Sequence, residues 1–169
     1  MRNKLIVLII IAFLLYLLLF PIMARSEELN EEIPLPQTIQ MACIESGHEF
    51  GICPELLMAL VYQETRGICD NATQITSAYW YREGIKACEA DDYIKNPYQN
   101  IDVCAYYLAK WFENYGDGDV YLILEMWNKG VENAIKTHNP ECPSNYAEEI
   151  VNRSVEWEVL NDEKDSIKP

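Results

Sequence analysis

Cys53-Pro54-Glu55-Leu56-Leu57-Met58-Ala59-Leu60-Val61-Tyr62-Gln63-Glu64-Thr65-Arg66-Gly67 is the stretch on which the reading of this chain turns. Pro54 suits the first turn of a helix, where the N–H it lacks has no partner to lose, and Gly67 supplies a stop. Leu57, Leu60, Val61 and Glu64 fall at i, i+3, i+4, i+7 spacing and so share one face. Glu64 therefore ends an apolar stripe, at a place where a purely structural helix carries Leu. A carboxyl held there loses water, which favours its neutral form and raises its pKa. An acid still protonated near neutral pH can serve as a general acid. The plain alternative is a solvated glutamate at a helix end beside Arg66.

Working outward, 37–50 reads as a helix with Ile39, Cys43 and Ile44 inward, broken at Gly51. The stretch 68–77 is polar and turn-rich, 78–91 is helical with Tyr79, Trp80 and Tyr81 at its start, and 92–97 is a loop. Residues 100–115 form a helix that buries Ile101, Cys104, Ala105, Leu108 and Phe112. Gly116-Asp117-Gly118-Asp119 is a tight connector and lacks the twelve-residue pattern of a calcium loop. A helix over 120–127 ends near Asn128-Lys129-Gly130, and 131–135 adds a short turn. The loop 138–144 carries Pro140 and Pro143, with Cys142 available to staple it. A last helix over 145–160 turns Tyr146, Ile150 and Trp157 inward, and 161–169 is a frayed tail. Neither β-alternation nor an internal repeat is present, so the chain reads as all-α with short connections.

Composition bounds the function. With 169 residues and half of them hydrophobic, there is room for one domain with a real core. The formal net charge is -14, and all 27 acidic residues follow Arg25. Such a surface repels phosphate backbones and argues against a nucleic-acid partner. Arg2 and Lys4 precede sixteen uncharged, mostly apolar residues, 5–20, and Pro21 follows. That is the pattern of an exported protein. Ala24-Arg25-Ser26 offers a cleavage site, and the alternative is retention of 1–26 as a membrane anchor. Residues 27–38, acidic and with Pro34 and Pro36, read as a linker off the membrane. Cys43, Cys53, Cys69, Cys88, Cys104 and Cys142 all follow the leader, which in an exported domain suggests up to three disulfides in any of fifteen pairings. No Cys/His cluster indicates a metal, and His48 and His138 are far apart.

Three further stretches stand beside residues 55–65: Asn96-Pro97-Tyr98-Gln99-Asn100-Ile101-Asp102 with Tyr106-Tyr107-Leu108-Ala109 after it, Met126-Trp127-Asn128-Lys129-Gly130, and Asn145-Tyr146 at the head of the last helix. In this order and spacing they resemble the soluble lytic transglycosylases and goose-type lysozymes, over about Ile39 to Trp157. Residues 55–65 are similar to that family's first motif, a helix ending in Gln-Glu-Ser whose Glu is the catalytic acid. The second stretch is similar to its Asp-Pro-x-x-Asn-Ile segment. The third is similar to its Ala-Tyr-Asn-Ala-Gly element, which lines the sugar groove, and the last to its terminal Tyr-bearing helix. The resemblance implies a lysozyme-like domain over 39–160 that acts on peptidoglycan glycan strands without a cofactor. It implies Glu64 as the one acid and base, giving a 1,6-anhydro product, with Gln74, Trp127, Asn128 and Tyr146 as substrate-binding residues.

Departures from the family pattern keep other readings open. The second motif, Gly-Leu-Met-Gln, is reduced to Ala72-Thr73-Gln74-Ile75, and Trp127 stands where the family has Tyr. Both changes fit a non-catalytic peptidoglycan-binding or scaffold domain on the same fold. A hydrolytic muramidase is a further alternative and needs a second carboxylate across the bond; Asp70, Glu83, Asp91, Asp92 and Asp102 are candidates by composition alone. A disulfide-rich surface protein unrelated to sugars is the remaining class. The acidity suits local wall remodelling within an envelope-spanning assembly, with membrane contact through the N-terminal segment if it is uncleaved.

Overall fold

Prolines and short polar side chains mark the places where this chain enters a helix. The computed structural model describes residues 29–75 and 95–166, and no strand occurs among them. The chain there is all-α. Helix α1 (Gln37–Phe50) is followed by α2 (Pro54–Thr65), α3 (Pro97–Trp111), α4 (Val120–Lys129), α5 (Val131–Thr137) and α6 (Asn145–Ser166). One π-helical turn, Phe112–Gly116, prolongs α3. The leader and the stretch 78–91 lie outside the described residues. Among the described residues, no helix is long and apolar enough to cross a membrane.

Local chemistry sets the helix ends. Gly51 closes α1 in the left-handed region, φ 68°, where glycine meets no Cβ penalty. Pro54 opens α2, as its sequence position demands. Helix α3 starts three residues before the expected Asn100, because Asn96-Pro97 is itself a start signal: the Asn96 carboxamide oxygen accepts from the N–H groups of Tyr98 at 3.0 Å and Gln99 at 3.5 Å, with Pro97 in the first turn. Asp119 caps α4 by accepting from the Leu122 N–H at 3.0 Å.

Helix α1 packs on α2 and α3, α2 on α6, and α4 on α5 and α6. Leu57, Met58, Leu60 and Val61 of α2 are fully buried, together with Ile39 of α1, Ile101 and Leu108 of α3, Ile123, Leu124 and Met126 of α4 and Ile150 of α6. Each such side chain contributes about 1.5–3 kcal/mol by leaving water. Gly47 lets α1 approach the turn into α2: a Cβ there would stand 2.6 Å from the Ile52 carbonyl oxygen. Helices α2 and α6 run antiparallel, since Asn161 meets Glu55 at one end, Arg153 meets Gln63 farther along, and Tyr146 meets Glu64 at the other. This pairing places the end of the α2 stripe against the start of α6.

Three expectations are corrected here. The expected linker over 27–38 belongs to the fold from at least Asn30 onward. Asn30, Ile33 and Leu35 are buried, and buried Gln40 ties them down, its amide donating to the Asn30 and Leu35 carbonyls at 3.0 Å and accepting from the Asn30 N–H at 3.0 Å. The expected tail over 161–169 is helical through Ser166: Asn161 accepts from Asn30 Nδ2 at 2.8 Å and donates to Glu55 at 2.6 Å, which gives that turn tertiary partners. The disulfides are not present among the described cysteines. Cys43, Cys53, Cys69, Cys104 and Cys142 are free thiols, and Cys88 lies outside the described residues. Cys53 donates to Glu55 at 3.1 Å, and Cys142 is exposed on the 138–144 loop.

Candidate functional site

Glu64 stands near the C-terminal end of α2, half-buried behind Leu57, Leu60 and Val61. Its one hydrogen-bond partner among the described residues is Tyr146, whose phenol donates to Glu64 Oε1. Burial raises the Glu64 pKa above the ordinary glutamate value, and the Tyr146 hydrogen bond only partly opposes it. Burial also pushes the Tyr146 phenol far up, and the Glu64 charge adds to that. The hydroxyl therefore keeps its hydrogen and always donates. Below the pair lies Cys104 of α3, fully buried, its thiol raised first by burial and then by Cys43 and Glu64. A thiol so held stays neutral and behaves as a small apolar wall.

The segment after α2 is fixed by a buried polar cluster. Asn100 of α3, wholly inaccessible to water, accepts from the Thr73 N–H at 3.0 Å and the Thr73 hydroxyl at 2.7 Å, and donates to Asn71 at 3.1 Å. Thr65, next to Glu64, donates to the Ala72 carbonyl at 3.0 Å. These bonds hold Gln74 exposed, at a left-handed φ of 53°. Nothing in the sequence pattern marked Asn100 beyond its place in the Asn-Ile motif, yet it anchors the loop that presents Gln74.

The other residues read as substrate contacts differ in placement. Trp127 is only 8% exposed and packs on Trp111, ring centroids 6.1 Å apart, so it serves the core. Asn128 is exposed at the end of α4. Of the carboxylates weighed for a second catalytic role, Asp70 is exposed and Asp102 partly buried; Glu83, Asp91 and Asp92 lie outside the described residues. Among the described residues, no other carboxylate perturbs Glu64.

Sequence reasoning missed the cluster that holds the start of α6. Glu125 of α4 has a side chain only 3% exposed and an ion pair with Lys129 at 2.9 Å. It also accepts from the Ser144 N–H at 2.9 Å and contacts His138 Nδ1 at 3.3 Å. His138 Nε2 lies 2.7 Å from Asp119 Oδ2. Burial raises the Glu125 carboxyl, but Lys129, Ser144 and His138 outweigh it and hold the pKa at about 2. The loop 138–144 is thus tied to the N-cap and the middle of α4 by Asp119, His138 and Glu125 rather than by Cys142. Tyr146 follows Ser144 by two residues, so this tie sets where the phenol meets Glu64. A buried Glu on an otherwise apolar helix was the available signal.

Comparison with protein-family models, with characterised proteins and with solved structures finds no match to this chain.

Proposed function

We propose that this chain is a peptidoglycan lytic transglycosylase on a lysozyme-like fold. The observation that carries the reading is the pairing of Glu64 with Tyr146, 82 positions away in sequence. Each had been singled out separately, one as catalytic acid and one as groove residue. The raised Glu64 pKa supports the acid role, since a neutral carboxyl is what the first step consumes. Glu64 gives its proton to the oxygen linking N-acetylmuramic acid to N-acetylglucosamine, and the C1–O bond breaks. The positive charge left on C1 and the ring oxygen faces the new carboxylate, which Tyr146 continues to hydrogen-bond. Glu64 then takes the proton of the muramic C6 hydroxyl as that oxygen closes on C1. The 1,6-anhydro ring forms, Glu64 is protonated again, and no water is consumed. Hydrolysis instead needs a second carboxylate to direct water.

Non-catalytic glycan binding is the second reading. It is favoured by the burial of Trp127, which withdraws the indole from the place where the family carries a tyrosine. Digestion of purified peptidoglycan by the protein and by Glu64→Gln, with mass spectrometry of the released sugars, separates these. Anhydro-muropeptides from the wild type, reduced about 100-fold or more in Glu64→Gln, are the expected result. Reducing ends would mean a muramidase, and no release with retained wall binding would mean a binder.

A further inference from the structure

Two guanidinium groups converge on one ring in the last turns of α2, the helix that carries Glu64. Arg66 Cζ lies 4.6 Å and Arg153 Cζ 4.9 Å from the centroid of Tyr62, and Tyr62 is braced edge-on against Trp157 at 5.7 Å. Neither arginine forms an ion pair among the described residues, in a chain whose net charge is -14. Glu149 lies four residues before Arg153 on α6, but its carboxylate is engaged by Gln63. Gln63 Nε2 donates to Glu149 Oε2 at 3.0 Å, while Gln63 Oε1 accepts from Arg153 Nη1 at 3.1 Å. The amide stands between the two charges and leaves most Arg153 donors unused.

Arg66 adds an independent observation. It closes α2 at φ 57°, a left-handed conformation that costs a residue with a Cβ on the order of 1 kcal/mol. Glycine or asparagine would cap with less strain. In that conformation its side chain lies over Tyr62, four residues back.

We propose that Arg66, Arg153 and Tyr62 form a carboxylate-binding site for the peptide stem of the glycan strand, an inference that rests on peptidoglycan being the substrate. Arg153 follows Tyr146 by seven residues on α6, about 10 Å along the helix axis. An extended peptide advances about 3.3–3.6 Å per residue. With the muramic unit at Glu64, a carboxylate on the second or third stem residue reaches the guanidinium pair. The planar fork of arginine grips a carboxylate through two parallel hydrogen bonds, and the ring of Tyr62 keeps both forks oriented. An extended polyanion is disfavoured by the surrounding acidity, whereas a short stem brings one or two charges.

The test is titration of the full chain with N-acetylmuramyl-L-alanyl-D-glutamate, which carries the carboxylates but no scissile glycosidic bond. Its diamide and the Arg66→Gln/Arg153→Gln variant are run beside it. The site predicts at least tenfold weaker binding by the variant, and an equal loss for the wild type with the diamide. Because the diamide arm uses the wild-type protein, it reads the site even if the variant folds poorly. Equal binding of acid and diamide by the wild type, or no binding of either, overturns the proposal. Arginine-dependent binding in a protein that releases no sugars keeps the site and removes the transglycosylase. Anhydro-product release with carboxylate-independent binding does the reverse.

Discussion

Glu125 holds the loop before Tyr146, and its removal is the perturbation with the best-defined size. Its carboxyl has a folded-state pKa of about 2 against an ordinary value of 4.5. The folded pKa is depressed, so the stabilisation is present above 4.5 and is lost as pH falls toward 2. At about 1.4 kcal/mol per pKa unit, the linkage is at most about 3.5 kcal/mol. Glu125→Gln removes the charge but keeps an acceptor for the Ser144 N–H. Lys129, with a side chain 31% exposed, can turn to water, so the variant isolates the charge term. Urea unfolding from pH 7 to pH 2.5 should show a wild-type advantage of about 3 kcal/mol at neutral pH that shrinks steadily below pH 4.5. In a chain of this size that is a Tm difference of roughly 6–12 °C. Glu125→Leu also leaves the Ser144 N–H without its partner and should lose about 1–3 kcal/mol more. Glu132→Gln, at the exposed Lys136–Glu132 pair, should stay within about 0.5 kcal/mol of wild type. Wild-type and Glu125→Gln curves that run parallel across the acid range would refute the reasoning.

Three other outcomes follow from the site. Tyr146→Phe removes the one hydrogen bond that lowers the Glu64 pKa, so the alkaline limb of the pH–rate profile should move to higher pH while the rate falls about 10–100-fold; an unmoved or lowered limb contradicts the pairing. Glu64→Gln should stabilise the protein at pH 7, on the order of 0.5–1 kcal/mol. The raised pKa means stability is full below the ordinary glutamate value and is lost as pH rises through the folded one, so the gain should vanish in acid. Asn100→Ala strips the Thr73 N–H and hydroxyl of a buried acceptor and should cost about 2–4 kcal/mol, measured by urea unfolding. Proteolysis should then reach the 71–75 loop sooner than in wild type.

What the sequence made legible was local. Pro54, the Leu57–Leu60–Val61 stripe and Gly51 read directly because each acts through its own turn of helix. Glu64 was visible as a carboxyl where an apolar residue belonged. The illegible parts depend on partners distant in sequence. Asn161 looks like the start of a frayed end until Asn30 and Glu55 are beside it, and Gln40 looks like a surface amide until the 30–35 stretch folds over it. His138 was invisible as a structural group because its partners, Asp119 and Glu125, sit 19 and 13 positions back in sequence, at the cap and in the middle of another helix. Trp127 shows a different failure: an aromatic in a motif position carries no mark saying whether it faces a groove or the core. Only packing against Trp111 decides that.

Glu64 and Glu125 show why burial alone does not set a carboxyl's role. Desolvation is the largest influence on both, and it acts in the same direction. Glu64 has one neutral phenol to offset it, so its pKa rises. Glu125 has an ammonium, a backbone N–H and an imidazole around it, so the charged form wins despite deeper burial. Donor count and donor charge therefore separate a proton carrier from a structural anion. The two shifts also open a common working range. Above about 2 Glu125 is ionised and the loop is held, and below the raised Glu64 pKa the proton that the proposed reaction consumes is still in place. The same loop that depends on the first condition delivers Tyr146 to the second. Loss of activity at the acid edge should therefore coincide with loosening of the 138–144 loop, whereas loss at the alkaline edge should leave the fold intact. Tryptophan fluorescence recorded alongside the pH–rate profile distinguishes the two edges, because Trp127 lies in α4, to which the loop is bonded through Glu125, and Trp157 in α6, which the loop enters.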